Sequence, residues 1–161
     1  MPEFSIRLAR EKDLPALSRF AAPIMASLKF YNEESTKKNI KEISQKELKG
    51  SLKWNRNNVI MAVANDGKII GLGMHYLSSG HVDWLEWLLI DKNFRRKGLG
   101  RALVNYAIRN AKMRGGHKVW CDSNPRNKPA VKFFTGMGFR KVGILKKHDF
   151  CQDEILWEKQ I

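Results

Sequence analysis

Apolar and polar residues alternate along residues 4–10, Phe4-Ser5-Ile6-Arg7-Leu8-Ala9-Arg10, with the two-residue period of a half-buried strand. The period then lengthens. Leu14, Leu17, Phe20, Ala21 and Ile24 recur at helical spacing, behind Asp13 as a candidate cap and with Pro15 in a first turn that tolerates it. Residues 33–54 are polar, and Ile40, Ile43, Leu48 and Leu52 leave a weaker helical stripe. Residues 58–64 and 69–77 are apolar runs joined by Asn65-Asp66-Gly67-Lys68, which predicts a hairpin. Ser78-Ser79-Gly80 turns the chain into a third run, residues 81–90. A helical pattern then runs to Arg114, where Gly115-Gly116 stops it. Residues 118–122 read as a strand, 123–128 as a loop and 129–137 as a short helix ended by Gly138. Residues 139–147 and 154–157 close the chain as a strand pair. The order β-α-α-β-β-β-α-β-α-β-β predicts one mixed α/β (α+β) domain around a central sheet, spanning residues 1–161.

Composition narrows the class without changing this picture. Hydrophobic content of 43% with five Trp supports a packed core. The opening Met1-Pro2-Glu3-Phe4-Ser5-Ile6-Arg7 lacks the apolar stretch of a signal peptide, and no segment approaches the ~20 apolar residues of a membrane span. Cys121 and Cys151 read as free thiols, and a cytoplasmic location is expected. The net charge of +14 is lopsided: residues 1–90 hold 13 Lys/Arg against 10 Asp/Glu, and residues 91–161 hold 17 against 6. Such a field draws anions, and it leaves nucleic acid open as a partner and solubility as the plainer reason.

The basic half opens with Arg95-Arg96-Lys97-Gly98-Leu99-Gly100, set between the apolar run that ends at Ile90 and the helical pattern that continues through Arg101. A strand, a short basic glycine turn and a helix make a phosphate cradle. First-turn N–H groups lack partners, the helix dipole favours an anion there, and glycines let the backbone come close. A P-loop would need Gly-x-x-x-x-Gly-Lys-Ser/Thr, which is absent. A dinucleotide turn would need a third glycine where Leu103 stands, and it would open its fold rather than follow about 90 residues. Asp122, at the end of the next strand, lies at a distance that would suit a ribose contact in that minor reading.

These residues match the Gln/Arg-x-x-Gly-x-Gly/Ala motif of the GNAT N-acetyltransferase superfamily, and nearly the whole chain resembles that family. Residues 6–9 with Asp13 look like its opening strand and helix. Asn127-Lys128-Pro129-Ala130-Val131-Lys132-Phe133-Phe134-Thr135-Gly136-Met137-Gly138-Phe139 resembles its second signature. The resemblance implies a mostly antiparallel central sheet of about six to seven strands, splayed in the middle and flanked by about four helices. It implies acetyl-CoA as co-substrate without a metal, and an amine acceptor, small molecule or peptide. A homodimer is compatible with it. The backbone amides of Arg96, Lys97, Gly98, Leu99, Gly100 and Arg101 would cradle the CoA pyrophosphate, with the side chains of Arg95, Arg96 and Lys97 around it. Leu88, Leu89 and Ile90 would offer the strand edge that pairs with pantetheine. Asn127 would bond the pantetheine arm or cap a helix, and Phe133 and Phe134 would wall the channel or fill the core.

Acetyl transfer needs a neutral amine, and a lysine-type amine near pKa 10.4 is ~4.6 kcal/mol from neutrality at pH 7. Two carboxylates are candidate bases. Glu86 interrupts the apolar run 84–90, and Asp122 ends the neighbouring strand. Each has a plainer reading, as a surface strand residue and as a turn residue respectively; Asp83 is a third choice. In the family the second aromatic of the Asn127 segment is commonly a Tyr that protonates the leaving thiolate. Phe134 cannot do so, which leaves the acid unassigned, with Tyr31, Tyr76, His75 and His81 as conceivable substitutes. Cys121 has no motif that would make it a nucleophile. The acceptor side is expected from the first helices, residues 74–76 and the closing hairpin, where Lys146 and Lys147 hint at an anionic acceptor or a solvated turn. Phe134 keeps open a CoA-binding module without catalysis, and the net charge a nucleic-acid binder, which lacks the basic-aromatic pattern of an RNA-binding sheet.

Overall fold

The computed structural model describes residues 4–55 and 57–161. Its strands are β1 (Phe4–Leu8), β2 (Val59–Ala64), β3 (Ile69–Leu77), β4 (Val82–Ile90), β5 (Lys118–Ser123), β6 (Arg140–Asp149) and β7 (Gln152–Gln160). They form one sheet in the order β1-β2-β3-β4-β5-β7-β6. Every neighbouring pair is antiparallel except β4 with β5. The helices are α1 (Leu14–Ala26), α2 (Glu33–Glu42), α3 (Gln45–Trp54), α4 (Leu99–Met113) and α5 (Lys128–Gly136).

The polar stretch 33–54 holds two helices rather than one, so among the described residues five α-helices flank the sheet. Ile43 ends the first with a fully buried side chain, and the hydroxyl of Ser44 accepts the N–H of Glu47 to start the second. A serine cap inside a polar run outcompetes a continuous but weak apolar stripe. Asp13 does not cap α1 as expected. Its carboxylate takes the Arg7 guanidinium at 2.7 and 2.9 Å and the Arg10 N–H at 2.8 Å. A bidentate charged pair is the stronger use of that side chain.

Strand alternation sends side chains into two cores. Leu85, Val119, Cys121, Ile155 and Trp157 pack with Leu99, Leu103, Val104 and Ala107 of α4 and Phe134 of α5. On the other face, Met61, Leu72, Met74 and Leu89 pack with Leu17, Met25, Ile43 and Leu48 from α1 to α3. The sheet therefore separates an α4/α5 side from an α1–α3 side, and chemistry on one side reaches the other only through a gap in the sheet.

That gap exists. β4 and β5 pair only at Val82↔Lys118, Asp83↔Val119 and Trp84↔Trp120. Beyond Trp84 and Trp120, stacked at 4.9 Å, the strands part. From Leu85 onward β4 pairs with β3 alone, and Cys121 to Ser123 pair with β7 alone. Among the described residues, no helix is long and apolar enough to cross a membrane.

Candidate active site

The basic glycine turn enters α4 at the α4/α5 side of the gap. Arg96 (φ 60) and Gly98 (φ 83) take left-handed backbone, and Gly98 is the residue before the first helical turn. At Arg96 this costs about 1–2 kcal/mol, a strain of the kind that persists at ligand sites. No side chain caps the helix, and its first turn holds no acid. A Cβ on Gly98 would meet nothing within 4 Å, so the space over the turn is open. Gly100 is different: a Cβ there would stand 2.9 Å from Ile90 Cδ1 and 3.3 Å from Phe133 Cε2. It lets α4 and α5 close onto the end of β4.

The side chains of Arg95, Arg96 and Lys97 are exposed, and Arg95 Nε donates to the Ile90 carbonyl at 3.3 Å. Arg101 donates to the Gly136 carbonyl at 3.3 Å, tying α4 to α5. Leu88 and Ile90 turn toward the α4 core and Leu89 toward the other, while the strand edge they share faces the gap. Asn127 caps α5, its Oδ1 accepting the Ala130 N–H at 3.2 Å. Phe134 is buried among Phe133, Phe139 and Trp157, where core packing accounts for it.

The carboxylates gather on the opposite side of the gap. Met74 pairs with Trp87 and His75 with Leu85, so Glu86 is the extra residue of a β-bulge in β4. The bulge leaves Leu85 facing α4 while Glu86 stands beside Glu42 and Lys38 of α2. Burial, reinforced by the charge of Glu42, pushes Glu86 up to about 7. Asp122 alternates with buried Cys121 and so faces the same side; burial and Asp149 raise it. Glu154 on β7 is pushed up to about 7 by burial and by the charges of Asp122 and Asp149.

Tyr31 stands among these acids. Burial, then the charges of Asp122, Glu154, Asp149 and Glu42, push its hydroxyl far above the ordinary tyrosine value. Its neighbours are clamped. Gln152 Nε2 donates to the Phe30 carbonyl at 2.8 Å, and Gln152 Oε1 accepts the Asn32 N–H and the Ser35 hydroxyl, both at 3.0 Å. Asn32 Nδ2 donates to the Phe150 carbonyl at 3.0 Å. The connection from α1 to α2 is thus stitched to the β6–β7 hairpin across the site.

The gap thus joins the predicted glycine turn, on one side, to the predicted carboxylates Glu86 and Asp122 on the other. It excludes others. Asp83 and His75 form a fully buried pair, Nδ1 to carboxylate at 2.9 Å. His81 lies in the exposed turn before β4. Tyr76 packs between Trp54 and Trp84, and burial with the charge of nearby Glu86 raises its hydroxyl. Cys121 is buried, which raises its thiol far from a reactive value. Lys146 pairs with Asp153 at 2.7 Å on the exposed hairpin. Asp149 lies in the closing hairpin expected to face the acceptor, whereas Glu42 and Glu154 escaped sequence reasoning because single acids on a polar helix and an alternating strand carry no pattern of their own.

The sequence matches the profile of the acetyltransferase (GNAT) family over residues 25–139. It is 37% identical over 59 residues to an uncharacterized N-acetyltransferase of Methanocaldococcus jannaschii, covering 37% of this chain and 26% of that one. It is 28% identical over 61 residues to the ribosomal protein bS18-alanine N-acetyltransferase of Escherichia coli, covering 38% and 41%. The matched stretch spans less than half the length of these relatives. Among solved structures, PaiA N-acetyltransferase from Thermoplasma acidophilum, in complex with coenzyme A, superposes with TM-score 0.80 at 20% identity over 100% of both chains. Ard1 from Thermoplasma volcanium gives 0.79 at 17% over 99% of both. The split sheet, the uncapped glycine turn and the profile match agree: the chain belongs to the acetyltransferase (GNAT) family.

Proposed function

We propose that this chain transfers an acetyl group from acetyl-CoA to a primary amine by direct attack. The observation that carries the reading is the gap between β4 and β5, which connects an open, cationic helix N-terminus to carboxylates poised near neutrality. The residues present fit the co-substrate. The turn has room over Gly98 for a pyrophosphate, with backbone amides and Arg95, Arg96, Lys97 and Arg101 around it. The free edge of β4 from Leu88 to Ile90 supplies N–H and C=O groups to an extended amide-bearing arm, as an added strand would. Acetyl-CoA supplies the activated acetyl thioester.

The chain's own part is proton handling and placement. Glu86 accepts the proton of the acceptor ammonium, directly or through water, as the amine nitrogen bonds to the acetyl carbon and the carbon–sulfur bond breaks. A carboxylate at about 7 holds the balance a base needs at neutral pH: deprotonated often enough, and basic enough. Asp122, which burial and Asp149 hold above its ordinary value, stands on the strand across the gap as the next proton station. Backbone N–H groups of the parted strand are placed to stabilise charge on the carbonyl oxygen.

The test is a purified-protein assay of thiol release from acetyl-CoA with a broad panel of amines and peptides, beside a thermal shift with CoA and acetyl-CoA. Amine-dependent release that Glu86→Gln lowers about 10²-fold or more supports the reading. No thermal shift at millimolar ligand overturns it. A shift without transfer to any acceptor leaves a CoA-binding module instead.

A further inference from the structure

The geometry points to a second ligand site in this chain, a cleft for a small organic anion at the far end of α4 from the glycine turn. It does not depend on the acetyl-transfer reading. The cleft lies where the last turns of α4 pass the end of β1 and the turn that leads into β2, and its volume is about 300 Å³, the low end for small-molecule sites. Arg109 and Asn110 of α4 line it, with Arg114 at the helix end and Asn57 from the turn. At 1.5 Å of rise per residue, Arg109 to Arg114 stand about 15–22 Å along the helix from Leu99.

Polar groups of this cleft lack partners. Asn110 is 5% exposed, and its side chain makes no hydrogen bond among the described residues. Arg114 Nη1 is out of solvent, and no acceptor meets it. Buried donors left unpaired in this way are rare and costly to a fold. Neither Arg109 nor Arg114 forms an ion pair among the described residues. No Asp or Glu among them lines the cleft. The Arg109 guanidinium lies over Tyr106, 5.7 Å from the ring centre. A guanidinium laid on a ring keeps its donor edge for a planar oxyanion. The end of a helix opposes an anion with about half a charge. Here the Ala111 and Lys112 carbonyls are closed by the N–H groups of Arg114, Gly115 and Gly116 at 2.8–3.0 Å, so two whole positive charges prevail. Leu8, Tyr106 and Met113 add an apolar wall, and Met113 is 81% exposed. A carboxylate or phosphate joined to a short apolar body matches cations and wall together. A bare inorganic ion would leave the wall uncovered. A nucleic-acid strand is read by a track of cations, whereas these two arginines meet in one small cleft.

The experiment titrates the full chain with phenyl phosphate, benzoate and neutral benzamide. NMR follows the Asn110 side-chain amide and the Nε–H signals of Arg109 and Arg114. Saturating CoA in one series, and Gly98→Glu in another, keeps the anions off the glycine turn. Shifts at these three signals, with a Kd at least about tenfold lower for one anion than for benzamide, support the site. The tighter anion assigns the head group as phosphate or carboxylate. Inorganic phosphate should bind more weakly than phenyl phosphate. Arg109→Gln should weaken the preferred anion about fivefold or more while the Tm of the free chain holds, because Arg109 is exposed. Arg114→Gln should weaken it further. Equal affinity for benzamide and both anions overturns the inference, as does an anion affinity that Arg109→Gln leaves unchanged. Shifts at the three signals with an RNA oligonucleotide, and none with the small anions, assign the cleft to nucleic acid and overturn it as well.

Discussion

Trp87 donates its indole N–H to Glu42 Oε2 at 3.2 Å, and that bond holds a negative charge beside Glu86. Both partners depend on the bulge in β4, which turns consecutive residues Glu86 and Trp87 toward α2. Glu42→Gln keeps a hydrogen-bond acceptor for the indole and removes the charge. The proton on Glu86 should then leave more readily. The base acts when deprotonated, so kcat/KM should rise with pH through a midpoint near that of Glu86, about 7. In Glu42→Gln the rising limb should move about half a pH unit or more toward acid, the scale of one partly screened charge. A limb that stays in place would remove Glu86 as its source.

The same residue makes stability fall as pH rises. Folded Glu86 keeps its proton to about 7, whereas the unfolded chain loses it near 4.5. Below 4.5 both states are protonated and nothing is lost. Between the two values the folded state binds more protons, so folding weakens as pH climbs and stays weakened above 7. The span corresponds to ~3 kcal/mol at most. Glu86→Gln cannot ionise. Its Tm should match the parent near pH 4.5 and exceed it by several degrees at pH 8, at 2–4 °C per kcal/mol for a chain of roughly this size. Calorimetry at the two pH values decides it, and a variant less stable at pH 8 would mean that the charge is satisfied in the fold.

Gly98 and Gly100 are glycines for different reasons, and substitution should separate them. Gly98→Glu puts a carboxylate into the open space over the turn and a side chain on a φ of 83. It should abolish the acetyl-CoA thermal shift while costing the free protein about 1–2 kcal/mol. Gly100→Val instead drives atoms into Ile90 and Phe133, 2.9 and 3.3 Å from the first carbon, and should destabilise the free protein by about 1–3 kcal/mol. Thermal melts with and without ligand read both effects.

The glycine turn was legible because its pattern is local: basic residues, glycines and a helix start contiguous in sequence. The other side was legible at Glu86 and Asp122, acids set in apolar strands, and in the expectation that the first helices and the closing hairpin meet there. Asp149 and Glu154 share the β6–β7 hairpin, but Glu42 on α2 and Glu86 on β4 reach them only through the tertiary fold, which no window of sequence encodes. The split of residues 33–54 into α2 and α3 hid behind a polar composition, and Asp13 was claimed by Arg7, a partner six residues back. Phe134 is the instructive departure. The family's tyrosine would occupy a core position 7% exposed, packed on Phe139 and Trp157. Phe134→Tyr should therefore bury a hydroxyl, cost about 1–3 kcal/mol and leave the rate of amine acetylation no higher than the parent's. A rate gain with unchanged Tm would instead mean that the position opens onto the thiolate.

Gln152 offers the sharpest separation of acceptor from donor binding. Its amide accepts from Asn32 and Ser35 and donates to Phe30, so one side chain closes three bonds around Tyr31. Nothing in that set touches α4 or the glycine turn, which lie across the sheet. Gln152→Ala removes all three bonds, each contributing about 0.5–1.5 kcal/mol, and frees the connection between α1 and α2. Amide exchange at residues 30–35 should accelerate, with little change in α4. The KM for the acceptor should rise about tenfold while acetyl-CoA affinity holds, because only the wall that carries Tyr31 has loosened. Loss of acetyl-CoA affinity in the same variant would show that the two sides of the gap are coupled, and that the clasp shapes the whole channel rather than its acceptor end.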